Sequence, residues 1–92
     1  MKTIQVTTVY GEQRVVLLDA EGRLRVNTVI QTYRPNLMRH FVCVYLSNDV
    51  PIAETYTPPE TTNEEAQEEL KKLLLLVEAK YGCECVVMRA FV

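Results

Sequence analysis

The sequence predicts an α+β domain: an antiparallel sheet of four to six strands with one long helix packed on one face, in the order ββββ(β)αβ. Three observations carry this reading. Short segments with period-two alternation or unbroken apolar character occupy residues 3–57. One segment of helical period, marked at both ends, follows them. A last apolar segment, residues 84–92, returns after the helix.

The first strand is read over residues 3–10, "TIQVTTVY", with Ile4, Val6 and Tyr10 on one face and Thr3, Gln5 and Thr7 on the other. "GEQ" breaks it. Residues 14–19, "RVVLLD", make a second strand, and "DAEGR" sets Gly22 where a hairpin turn commonly needs a positive φ. Residues 23–33 alternate again, with Leu24, Val26, Thr28 and Ile30 opposite Arg25, Asn27 and Gln31. Pro35 then turns the chain, because proline cannot donate to a ladder. The fourth strand, residues 37–46, differs in kind: from Phe41 to Leu46 the Tyr45 hydroxyl is its one polar side-chain group, as in a strand covered on both faces. "IAETYT" makes a short fifth strand, closed by Pro58 and Pro59.

The helix lies within "TTNEEAQEELKKLLLLVEAKYG". Thr62 with Glu65, or Thr61 with Glu64, has capping-box spacing. Glu64, Glu65, Glu68 and Glu69 sit at the positive end of the dipole, Lys80 near the negative end, and Gly82 where a left-handed residue ends a helix. Ala66, Leu70, Leu73, Leu74, Val77 and Tyr81 form an apolar stripe, which Leu75 and Leu76 widen, and Glu68 can pair with Lys72.

Ninety-two residues make a single domain, 1–92, able to bury one modest core. Residues 1–50 carry six Lys/Arg against four Asp/Glu, a charge of +2; residues 51–92 carry four against eight, a charge of −4. The basic excess of the first part is too small to mark a polyanion-binding face by itself. The longest aliphatic run, Leu73 to Val77, is far short of the roughly 20 residues a spanning helix takes. The N-terminal segment has no unbroken apolar run of the signal-peptide kind. With three cysteines, two of them separated by a single residue, a reducing, cytoplasmic setting without membrane contact is the expectation.

The pattern also predicts a shortage of cover. A helix of about 19 residues is about 28 Å long and shields part of one sheet face. Yet the fourth and last strands are apolar on both faces. On strict alternation Cys85, Val87 and Phe91 point one way and Val86, Met88, Ala90 and Val92 the other, with Arg89 interrupting. Either the sheet curls into a partial barrel or a second copy supplies the cover, most simply across a two-fold axis. The expected oligomer interface is Cys85, Val87, Met88, Arg89, Phe91 and Val92, with edge-to-edge pairing of the last strand as one way to build it.

Candidate chemistry is sparse. His40, Cys43, Cys83 and Cys85 are the right ligand types for zinc, but "CEC" is not a zinc knuckle. On one strand His40 and Cys43 have opposite parity, which also argues against a nucleophile–base pair. No metal or cofactor is expected, and Cys43 and Cys85 read as small buried hydrophobes. The acidic helix surface reads as a solvated, dipole-matched face, and no phosphate-cradling or hydrolase motif occurs. The expected function is that of a small non-enzymatic, regulatory interaction protein, a homo-oligomer, with a homodimer favoured, that presents a surface to another protein. A second reading is a nucleic-acid-binding module whose strand face uses Arg14, Arg23, Arg25, Tyr33, Arg34 and Arg39. A third is a ligand-binding or enzymatic dimer with an inter-subunit pocket, for which His40, Tyr45 and Arg39 are the candidates.

Overall fold

A computed structural model describes residues 2–33 and 39–92 of the chain, Tyr33 by its backbone alone. Among the described residues the elements are β1 (Thr3–Thr7), β2 (Gln13–Leu17), β3 (Leu24–Tyr33), β4 (Arg39–Leu46), β5 (Pro51–Tyr56), α1 (Asn63–Tyr81) and β6 (Cys85–Phe91). The architecture is α+β, with mostly antiparallel strands and the helix packed on a sheet. Residues 37 and 38 of the fourth predicted strand, and the turn at Pro35, lie outside the described residues.

The strands divide into a β1–β2 hairpin and a four-stranded sheet of order β5-β4-β3-β6. β3–β4 and β4–β5 pair antiparallel, and β6 lies parallel to β3. The segment from β5 through α1 to β6 is therefore a crossover that carries the helix over β4 and β3, as parallel strands require. The turn at residues 19–23 does contain Gly22 at φ 78°, with the Asp19 carboxylate accepting from the Glu21 and Arg23 backbone N–H groups at 3.0 and 2.8 Å. It is not a hairpin turn: it joins two sheets, because β2 pairs with β1 while β3 is flanked by β4 and β6.

The helix ends where its sequence says. Thr62 caps it, its hydroxyl accepting from Glu65 N–H at 3.1 Å while the Glu65 carboxylate accepts from Thr62 N–H at 3.0 Å. Thr61 instead donates its hydroxyl to the Pro58 carbonyl at 2.6 Å. Gly82 closes the helix at φ 68°. Ala66 and Val77 are buried, and Leu70, Leu73, Leu74 and Tyr81 pack on the core. Leu75 and Leu76 do not widen that stripe: they are 64% and 66% exposed, because their angular positions turn them away from the sheet. Lysines 71 and 72 pair one turn back with Glu68 and Glu69, at i,i+3 rather than the i,i+4 spacing of Glu68 and Lys72.

The core lies between one face of the four-stranded sheet and a layer made of α1 and the hairpin. Leu24, Val26, Val44, Leu46 and Ile52 from the sheet meet Val77 from the helix and Val6 and Leu18 from the hairpin segment. The hairpin is fastened to the helix by Thr7 N–H donating to the Tyr81 hydroxyl at 3.0 Å, and to the sheet by Val9 N–H donating to the Pro51 carbonyl at 3.0 Å. β1 stops at Thr7, so Tyr10 does not share the inner face of Ile4 and Val6. It sits exposed in a turn whose buried Thr8 hydroxyl accepts from Tyr10 and Glu12 N–H.

β6 carries the main departure from simple alternation. Val26 pairs with Val87 but Asn27 pairs with Arg89, so Met88 is an extra, bulged residue. A bulge reverses parity. Cys85 and Val87 therefore face the covered side with Leu24 and Val26, whereas Arg89 and Phe91 face the other side with Asn27 and Val29. Phe91 does not share a face with Cys85 and Val87. The alternating pattern could not show this, because nothing in "CVVMRAF" marks where the extra residue falls.

Candidate functional site: the open face of the four-stranded sheet

The face turned away from α1 has no layer over it among the described residues. Reading along the register, Arg25 and Val86 form its first row, followed by Tyr45, Asn27 and Arg89. Glu54, Cys43, Val29 and Phe91 form the third row, and Tyr56, Phe41 and Gln31 the fourth. One end is thus polar and cationic, and the other aromatic. Phe91, Met88 and Tyr56 are 53%, 55% and 57% exposed. The Phe41 and Tyr56 rings lie 5.0 Å apart at 47°, a tilted aromatic pair across β4 and β5. Cys43 is fully buried within this face.

Two groups on this face, Cys43 and Tyr45, are shifted toward their neutral forms. Burial pushes the Cys43 thiol up to about 11, and burial with the neighbouring Cys43 pushes Tyr45 up to about 12. On the covered side, burial and the Glu78 and Cys83 charges push Cys85 up to about 12, and burial raises Cys83. The Glu78 carboxylate accepts the Cys85 backbone N–H at 2.7 Å, which ties the start of β6 to the last turn of α1.

The candidate chemical residues are dispersed. His40 and Cys43 point to opposite faces of β4. His40 is buried beneath the start of α1, its Nε2–H donating to Asn63 Oδ1 at 3.0 Å, with Nδ1 facing no partner among the described residues. Cys83 and Cys85 pack on the core near the helix C-terminus, away from both. Among the described residues no three His, Cys, Asp or Glu side chains converge in a metal-holding group.

The arginines are scattered as well. Arg14 pairs with Glu12 at 3.2 Å, and Arg23 with Asp19 at 3.1 Å and Glu21 at 3.5 Å. Arg25 and Arg39 do share the open face but lie at its opposite ends, and Arg39 Nε is buried without a partner among the described residues. Arg34 and the Tyr33 side chain lie outside the described residues. Arg25 instead has Arg89 as its neighbour across β3 and β6, around a cleft of about 350 Å³ lined also by Asn27, Ser47, Asp49 and Met88. That grouping joins three separate segments, and only the register of β6 brings it together. Arg25 and Asn27 on one strand face were its sole sequence signal.

Of the residues read as an oligomer interface, Met88, Arg89 and Phe91 border the open face, while Cys85 and Val87 lie on the covered side and Val92 extends beyond β6. No helix among the described residues is long and apolar enough to cross a membrane. Comparison with protein-family models, curated proteins and solved structures finds no significant match.

Proposed function

We propose that the chain is a non-enzymatic interaction protein that works as a homodimer, two copies packing through their open sheet faces and presenting their outer surfaces to a protein partner. The observation that carries this is the set of large apolar groups left on that face: the Phe41–Tyr56 pair toward the β5 edge, and Phe91 and Met88 on the β6 edge, with no layer over them among the described residues. Covering a large side chain completely contributes about 1.5–3 kcal/mol, so half-exposed Tyr56, Met88 and Phe91 each have on the order of 1 kcal/mol left to gain. Four strands at about 4.8 Å spacing and six to eight residues at about 3.3 Å present roughly 20 × 25 Å. Both partners together then bury on the order of 1,000 Å², the lower bound for a specific interface.

A second copy suits this face because one flat layer meets another in the sheet-on-sheet packing of β-sandwiches. Edge-to-edge pairing through β6 is less suited. The Met88 bulge and Arg89 in mid-strand are both devices that blunt an edge. The exposed Leu75 and Leu76 are a smaller patch on a helix surface that also carries Glu68, Lys71, Lys72 and Lys80. The non-enzymatic reading is supported by thiols held protonated by burial and by a histidine bonded to Asn63 under the helix.

Sedimentation equilibrium tests the proposal. The wild-type chain is expected at twice its 10.6 kDa mass, and Phe91→Asp as a folded monomer. A wild-type monomer at about 100 μM, where weak dimers of Kd near 10 μM are already mostly associated, would overturn it. Salt-sensitive retention of RNA or DNA by that monomer would favour the arginine-bearing face instead.

A further inference from the structure

The cleft at the polar end of the open face has the features of a ligand site, and we infer that it binds a small carboxylate bearing an adjacent hydroxyl or ammonium group. This goes beyond the dimer reading and does not rest on it: every residue of the cleft belongs to one copy, and because the cleft lies on the face a second copy would cover, ligand and second copy compete for it.

Asn27 is the first observation. It is 8% exposed, and its side-chain amide makes no hydrogen bond among the described residues. Its amide atoms are not sealed from solvent and are reached through the cleft that Asn27 lines. That residue lines the open cleft of about 350 Å³ together with Arg25, Ser47, Asp49, Met88 and Arg89.

The charges are the second. Arg25 on β3 and Arg89 on β6 flank Asn27, and neither forms an ion pair among the described residues, whereas Arg14 and Arg23 each take a local carboxylate. Two guanidinium groups from adjacent strands offer the forked donors that match an oxyanion. Ser47 adds a hydroxyl from the β4–β5 turn, and Asp49 adds a carboxylate from the same turn.

Asp49 decides the class of ligand. With two cations and one anion the lining carries a net charge of +1, matched by a monoanion, and Asp49 repels a phosphate dianion. A carboxylate also accepts hydrogen bonds and donates none when ionised, so it selects a ligand with an O–H or N–H⁺ beside its own carboxylate. Met88, bulged out of β6, supplies an apolar wall for the ligand's carbon.

The test is a titration of the ¹⁵N-labelled full chain followed by NMR, with glycolate, L-serine, acetate and inorganic phosphate as probes. Glycolate or L-serine is expected to shift the Asn27 side-chain amide and the Arg89 Nε–H saturably, and acetate to bind about tenfold more weakly. Arg25→Gln and Arg89→Gln, exposed-site variants whose spectra report their folding, should each weaken binding by about tenfold or more. Asp49→Asn should abolish the preference for glycolate over acetate and admit phosphate. Absence of a saturable shift at Asn27 with any carboxylate, or equal binding by Arg89→Gln, would overturn the site. Tighter binding of phosphate than of glycolate by the wild type would overturn the ligand class.

Discussion

The two faces of the four-stranded sheet are built from the same strands and have opposite fates. On one, Leu24, Val26 and Val44 are sealed under α1 and the hairpin. On the other, Phe91, Met88 and Tyr56 stand half in solvent. β4 is apolar on both sides, so on that strand composition does not distinguish the faces; β3 does, and the covering elements lie over its apolar side, Leu24 to Ile30. A crossover helix can lie on only one side of its sheet, and the hairpin is fastened to that same side through Tyr81. The lesson is that an apolar strand predicts a need for cover without saying which element of the chain meets it.

The covered side gives the largest expected effect. Leu24→Ala should destabilise the chain by about 2–5 kcal/mol in urea unfolding, because it empties a fully buried position. Phe91→Ser on the open face should cost a monomer less than about 1 kcal/mol, while removing the dependence of the unfolding midpoint on protein concentration that a dimer imposes. A cost for Phe91→Ser as large as that for Leu24→Ala, with no concentration dependence in the wild type, would mean that the two faces do not differ as described.

The joint between the covering elements gives a smaller effect. Tyr81→Phe deletes the acceptor of the Thr7 N–H and should cost about 1 kcal/mol, with faster hydrogen exchange at Thr7. The smallest effect is in acid. The Arg23 backbone N–H donated to Asp19 holds that carboxyl below its ordinary value of 3.8, and the Thr62 backbone N–H holds Glu65 below 4.5. Groups with lowered folded values contribute stability that is complete above the ordinary value and is lost as pH falls through the lowered one. Asp19→Asn and Glu65→Gln should therefore each flatten the fall of stability below about pH 4.5, as read by urea midpoints between pH 2 and 6.

What could be read from the sequence was whatever is local. Thr62, Glu65 and Gly82 announce the helix ends because caps are made within one turn, and the alternation of β3 sorted Leu24 to Ile30 from Arg25 to Gln31. The two-sided character of β4 was visible for the same reason. The place of β6 beside β3, its parallel sense and the Met88 bulge were not visible, since each depends on pairing between residues some sixty positions apart. The cleft was invisible for that cause too: Arg89 meets Arg25 and Asn27 only once the bulge has turned it to the open side. Leu75 and Leu76 misled because a run of four leucines has no period from which to choose a face.

Whether a second copy covers the open face is decided by isotope-filtered NMR on a mixture of labelled and unlabelled chains. Intermolecular contacts are expected from the Phe41, Tyr56 and Phe91 rings of one copy to the same face of the other. Intermolecular contacts confined to Leu75 and Leu76, or none at a concentration of about 1 mM, would contradict cover by a second copy.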